Sequence, residues 1–206
     1  MIDLRMPVGC LTLVVRCPEL LRKQGEFLIE LLKETRDQGG FLGNNTTVQF
    51  GWSLLRLRQE GSELIVCEPD FDGDAVSGVV PHVTRSLIVQ TQQSDVLCLV
   101  QAEPAAIWFQ DTVLLTDGCL EQPLIFMTRE VPSRKGDSGW GIGYKEDPGL
   151  ACADHYIPLF ELVRRRAALL QVMLLPTGWS VNFDGDLIDS IFNPDNNLVW
   201  DQSSQP

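Results

Sequence analysis

One short acidic segment of this chain contains aspartates that could bind a metal ion. Asp70, Asp72 and Asp74 alternate with other residues, as they do at the start of a calcium-binding loop. The pattern fails further along, because Ala75 stands where that loop needs a glycine and Pro81 where it needs a glutamate. We therefore expect a solvated acidic loop here and no calcium site.

A second segment could hold a nucleophilic serine. Residues 136–139 read Gly-Asp-Ser-Gly, the sequence around the nucleophile of trypsin-like proteases, but that chemistry also needs a histidine base and an aspartate. The only upstream histidine is His82, and Trp140 replaces a glycine of those enzymes. A turn held by side-chain to backbone hydrogen bonds explains the segment better. A hydrolase that uses Ser138 stays an alternative.

The remaining metal-ligating residues do not form a pattern either. Cys152 and His155 have the spacing of half a zinc site, but no second closely spaced pair accompanies them. With two histidines and no acid–base constellation, the sequence predicts no metal, no cofactor and no enzyme activity.

The charge of the chain limits its partners. Its 206 residues carry a net charge of −12, and all of this acidity lies in two segments: residues 41–127 have a net charge of −8, and residues 169–206 have five acidic residues and no basic one. Such a chain should repel nucleic acid and anionic membrane and attract a basic partner.

The cysteines and the N-terminus indicate the compartment. The six cysteines have no framework spacing, and several lie in apolar runs where a free thiol packs as a small hydrophobic group. The first residues lack the apolar core of a secretory signal. We therefore predict a reduced, cytoplasmic protein.

Hydrophobic periodicity predicts an α+β fold of mostly antiparallel strands with about three helices, arranged as two small packed domains. The domains are residues 1–131 and residues 132–206, the second ending in a loose polar tail of ten residues. Helices are expected over residues 18–37, 81–93 and from Pro158 onward. Strands are expected at 10–15, 48–57 (one long strand with a bulge), 64–67, 96–100, 107–115, 124–129 and 140–144, with an Asp-Gly hairpin over 179–192.

The five tryptophans are divided between core and surface in this prediction. Trp140, which lies among glycines, and Trp200, in the tail, are the candidates for exposed interface anchors. The other three are expected in the core.

Two stretches resemble a bacterial protein family. Residues 134–143, with Asp-Ser-Gly-Trp at 137–140, and the segment Leu-Leu-Pro-Thr-Gly-Trp at 174–179 are similar to a small C-terminal domain of bacterial immunity proteins. Residues 50–57 and 66–71 resemble the N-terminal domain of some members. The resemblance implies a protein without catalytic residues, encoded beside a secreted toxin that is often delivered by a type VI secretion system.

The sequence therefore predicts an immunity protein that binds and neutralises one secreted antibacterial toxin by occluding its active site. An acidic inhibitor suits a basic toxin, and nucleases are basic because they hold phosphates. A different class, an adaptor that loads an effector onto a secretion system, stays open. The predicted toxin-binding residues are Asp70, Phe71, Asp72, Asp74, Trp140, Asp184 and Asp186.

Overall fold

The structure is a computed structural model that describes residues 1–146 and 152–204. Contacts divide the chain into two compact units, Met1–Thr91 (unit 1) and Gln92–Pro206 (unit 2). The described residues form two sheets with mostly antiparallel pairing and a few α-helices, which confirms the α+β class. The boundary predicted near residue 131 stays a prediction; in the structure that residue connects two paired strands of unit 2.

Unit 1 is built on a six-stranded sheet. Its strands are β1 (Ile2–Val8), β2 (Leu11–Cys17), β3 (Thr47–Phe50), β4 (Ser53–Glu60), β5 (Glu63–Pro69) and β6 (Val79–Val80). Their order in the sheet is β1-β2-β5-β4-β3, with β6 added to β5. The strands β2 and β5 are parallel and the other pairs are antiparallel.

The helix α1 (Arg22–Asp37) follows a 3-10 turn at Glu19–Leu21 and covers one face of this sheet. Its buried side chains recur at helical spacing, as the periodicity predicted. Gly25 lets the helix approach the strands closely, because a Cβ there would lie 2.6 Å from Leu4 Cδ1. The core of unit 1 therefore lies between α1 and the sheet.

Unit 2 is built on a seven-stranded sheet. Its strands are β7 (Thr112–Thr116), β8 (Leu124–Arg129), β9 (Asp137–Tyr144), β10 (Asp154–Pro158), β11 (Ser180–Asp184), β12 (Leu187–Phe192) and β13 (Leu198–Asp201). Their order in the sheet is β10-β7-β9-β8-β11-β12-β13; β7 and β9 run parallel and the other pairs are antiparallel. The helix α2 (Thr84–Val100) starts in unit 1 and ends in unit 2, and α3 (Leu162–Arg165) is one short turn.

Several predicted elements are correct. The strand at 124–129 has the predicted bounds, and the Asp-Gly hairpin is formed by β11 and β12. Short 3-10 segments occupy Cys119–Glu121, Leu159–Glu161, Ala167–Val172 and Gln202–Ser204. The helix predicted from Pro158 is therefore mostly 3-10, and only α3 is α-helical.

Other predicted elements are wrong. The long bulged strand is a hairpin, because Gly51 has a φ of +54° and turns the chain between β3 and β4. The strand predicted at 96–100 is the last part of α2, whose apolar residues lie all around the helix and hide its period. The N-terminal strand β1 was missed, and the tail is not loose at β13; residues 205 and 206 lie outside the described residues.

Within the described residues, no helix is both long and apolar enough to cross a bilayer.

Candidate protein-interaction site

The acidic loop of unit 1, residues 70–78, joins β5 to β6 and holds its own shape with its carboxylates. Asp70 Oδ1 accepts the Gly73 N–H at 2.9 Å. Asp74 Oδ1 accepts the N–H groups of Val76 and Ser77 at 2.9 and 3.1 Å, and the Ser77 hydroxyl donates to Asp74 Oδ2. These hydrogen bonds lower the pKa of Asp74. Two of the predicted contact residues therefore already bind the loop backbone.

The third carboxylate of the acidic loop reaches the start of α2. Both oxygens of Asp72 lie within 3.0 Å of Arg85 Nη2. The Arg85 and Ser86 N–H groups donate to the buried carboxylate of Glu68 at 3.2 and 2.7 Å, and His82 Nδ1 lies 3.0 Å from it. Burial raises the pKa of Glu68. Sequence patterns did not indicate this buried carboxylate, because Glu68 directly follows the strand predicted at 64–67 and looks there like an ordinary surface residue.

Phe71 is turned into unit 1. Its side chain is 2% exposed and stacks on Trp52, with ring centroids 5.4 Å apart and ring planes 17° from parallel. Phe71, predicted as a toxin-binding residue, therefore has its ring in the core and not on the surface beside the aspartates.

The acidic turn of unit 2 joins β11 to β12 and contains Asp184 and Asp186, both exposed. The Asp186 side chain is 76% exposed, and its Oδ1 lies 3.3 Å from Nε of Arg166. The guanidinium of Arg166 is buried and also donates to four backbone carbonyls, those of Leu120, Gln122, Pro123 and Gly185. Arg166 therefore fixes the turn from beneath while the carboxylate of Asp186 faces outward.

A groove of about 560 Å³ lies in unit 2 next to this turn. Its residues come from α2, from the acidic turn and the start of β12, from β13, and from the 3-10 segments at Ala167–Val172 and Gln202–Ser204, and they include Asp186 and Trp200. Leu187, which directly follows the acidic turn, is 60% exposed on the groove. Trp200, predicted to be exposed, is half-buried on this groove.

Trp140, the other tryptophan expected at the surface, is buried, so that expectation is wrong. Its Nε1–H donates to the Met173 carbonyl at 3.0 Å. The cause is the alternation in β9, which turns Ser138, Trp140 and Ile142 inward and the glycines between them outward. Trp108, expected in the core, is exposed instead.

Ser138 is built into the strand and has no free hydroxyl proton. Its Oγ donates to the Thr112 carbonyl at 2.8 Å and accepts the Trp140 N–H at 3.1 Å. Asp137 accepts hydrogen bonds from Ser133 and from the Gly139 N–H. A Cβ at Gly139 would lie 2.2 Å from the Glu130 carbonyl oxygen, so only glycine fits here. These contacts give the Asp-Ser-Gly-Trp segment a structural role.

Metal-ligating side chains are scattered over the described residues, 1–146 and 152–204. No group of three or more histidine, cysteine, aspartate or glutamate side chains lies close enough together there to hold an ion. His155 Nδ1 instead lies 2.7 Å from the carboxylate of Asp117.

Most of unit 2 matches a known protein family. Residues 92–194, half of the chain, match the family model of the Imm33-like domain. The chain belongs to the Imm33-like family. The domain suggests an immunity protein family, in agreement with the sequence resemblance. No curated protein and no solved structure matches the chain.

The Imm33-like domain begins at Gln92, the first residue of unit 2, and is organised around a buried arginine. The guanidinium of Arg129 donates to the carbonyls of Ser138, Met173 and Leu175 at 3.1, 3.2 and 2.7 Å, and to those of Ala105 and Ala106. Burial lowers the pKa of Arg129. Arg129 therefore ties three otherwise separate segments of the domain to the end of β8, a role that its sequence position did not indicate.

Proposed function

We propose that this chain is an immunity protein that binds one secreted antibacterial toxin and neutralises it by covering the toxin's active site. The observation that carries the proposal is the match of residues 92–194 to the Imm33-like domain. The acidic loop and the acidic turn agree with a role in binding, since each presents exposed carboxylates on an ordered segment.

The toxin that fits best is a basic nuclease. The net charge of −12 favours association with a positively charged partner, and an enzyme that cleaves nucleic acid is positively charged where it holds phosphates. We place the encounter in the cytoplasm of a cell attacked through a type VI secretion system. In this proposal the Asp-Ser-Gly-Trp segment is the structural signature of the immunity domain.

The decisive experiment is co-expression with the toxin domain of the secreted protein encoded beside this chain. Cells that produce both proteins should grow, whereas cells that produce the toxin with an unrelated acidic protein of equal size should die. Death in both cases would contradict the proposal. An effector-loading adaptor would increase secretion of the toxin without protecting the cell, so measuring secretion separates the two functions.

The acidic loop should accelerate the encounter without forming the tight contact, because its carboxylates are bonded within unit 1. The triple variant Asp70→Asn, Asp72→Asn and Asp74→Asn keeps oxygen acceptors and removes three charges. We expect association with the toxin to slow roughly threefold to tenfold, with weaker salt dependence and an unchanged dissociation rate.

A matched control removes the same charge from α1. The variants Glu26→Gln, Glu30→Gln and Glu34→Gln, combined, change three exposed side chains of that helix. If this control slows association as much as the loop variant does, only the total charge matters and the acidic loop has no particular role.

A further inference from the structure

We propose that the groove of unit 2 is the docking site for the toxin, and that it takes an apolar side chain flanked by lysine or arginine. This inference rests on the proposed function and adds to it the surface and the chemistry of the contact. Its strongest support is the position of exposed apolar residues directly beside exposed carboxylates.

The apolar part of the groove has a floor and two sides. Val96 of α2 and Ile188 of β12 are buried and form the floor. Leu99, 49% exposed, stands on the helix side, and Leu187 stands on the strand side. Leucines left this open lose contact with water when a partner side chain enters, which is the main source of binding free energy at such surfaces.

The charged side chains among the described residues that line the groove are all acidic. Its lining includes the exposed carboxylates of Asp95 and Asp186, and no lysine or arginine is among the described residues that line it. Arg166, the partner of Asp186, is turned into the unit, so the surface itself presents the carboxylate.

The apolar and acidic residues of the groove together determine which kind of partner segment can bind there. A purely apolar partner would leave the carboxylates beside a dry contact, which costs free energy, whereas lysine or arginine at the edge of the contact pairs with them. An acidic partner would be repelled. A basic segment of the toxin that carries one large apolar side chain satisfies both parts of the groove at once.

The test uses the full-length chain and the catalytically inactive toxin domain encoded beside it. Leu187→Glu and Leu99→Glu each place a carboxylate in the apolar part, and because both leucines are exposed the variants should fold with unchanged melting temperatures. We expect each to weaken toxin binding by about 30-fold or more, mainly through faster dissociation.

The matched control is Val131→Glu, an exposed apolar residue of unit 2 (75%). It follows the end of β8 that lies away from the acidic turn, since Leu124 at the other end pairs with Asp184. This variant should bind the toxin like the wild type. A further variant, Asp95→Lys, should slow association and reduce its salt dependence.

The outcomes separate the inference from the proposed function. If the wild-type chain neither binds nor neutralises the toxin, the proposed function fails. If the wild type binds and the Leu187→Glu and Leu99→Glu variants bind equally well, the docking site is elsewhere and the inference fails. It fails equally if these variants only change the oligomeric state of the chain, because the groove would then be an interface between two copies.

Discussion

The acidic loop of unit 1 and the acidic turn of unit 2 have similar sequences, but their carboxylates have different surroundings in the structure. Both contain the tetrapeptide Phe-Asp-Gly-Asp, at residues 71–74 and 183–186. In the loop, the carboxylates bind the loop backbone and Arg85. In the turn, Asp186 pairs with the buried Arg166 beneath it, stays 76% exposed, and is followed by an exposed leucine on a groove.

The difference shows that acidic composition alone does not locate a docking surface. A carboxylate that already accepts backbone N–H groups contributes to long-range attraction but gains little from a new partner, since it would have to exchange one hydrogen bond for another. A carboxylate beside exposed apolar surface adds charge selectivity to a contact that the apolar residues stabilise. The groove of unit 2 has this arrangement over several apolar side chains, whereas the acidic loop offers the one exposed apolar side chain of Val76 (54%).

The largest effect that tests this contrast is on folding stability. Phe71→Ala should lower the free energy of unfolding by about 3–5 kcal/mol, because it removes a buried ring and its stacking on Trp52. Leu187→Ala should change it by less than about 0.5 kcal/mol, because that side chain is already exposed. Urea unfolding of both variants measures the difference. Equal losses would mean that Leu187 supports the fold, and the contrast between the two segments would be lost.

A smaller effect concerns the pH dependence contributed by Glu68, beneath the acidic loop. Burial raises the pKa of this carboxyl, so the folded chain binds its proton more tightly than the unfolded chain does. The contribution of Glu68 to stability is therefore fully present below its ordinary pKa and is lost as the pH rises through the raised value.

The variant Glu68→Gln removes this titration. Relative to the wild type it should become more stable as the pH increases from 4 to 8, as measured by urea unfolding at each pH. His82 lies 3.0 Å from Glu68, so the comparison is repeated with His82→Gln in both chains. The opposite slope would show that the N–H groups of α2 outweigh the cost of burial.

The sequence predicted those elements whose signals are local. The strand at 124–129 and the hairpin at 179–192 follow from alternation and from an Asp-Gly turn. The end of α2 was misread because its apolar residues serve both the core and the exposed groove, which removes the single apolar face that periodicity detects.

The candidate site was predicted only in part, for a related reason. Asp186 and Trp200 were recognised as polar and aromatic residues of a turn and a tail, and the structure places both on the groove. Asp95 and Leu99 were not recognised as candidate site residues, because they come from α2, which is far from Asp186 and Trp200 in the sequence. Whether Phe71 or Leu187 faces outward depends on tertiary packing, which no local pattern encodes.

The smallest effect tests the acidic loop itself. Hydrogen bonds from Ser77 and Val76 lower the pKa of Asp74, so its charged form stabilises the fold above its ordinary pKa, and this contribution is lost as the pH falls through the lowered value. Asp74→Asn should therefore lower the melting temperature slightly at neutral pH, and the difference from the wild type should shrink in acid. Toxin dissociation should not change, because these oxygens already have partners. Faster dissociation with an unchanged melting temperature would instead make Asp74 a direct contact, and the loop would then share the role that we assign to the groove.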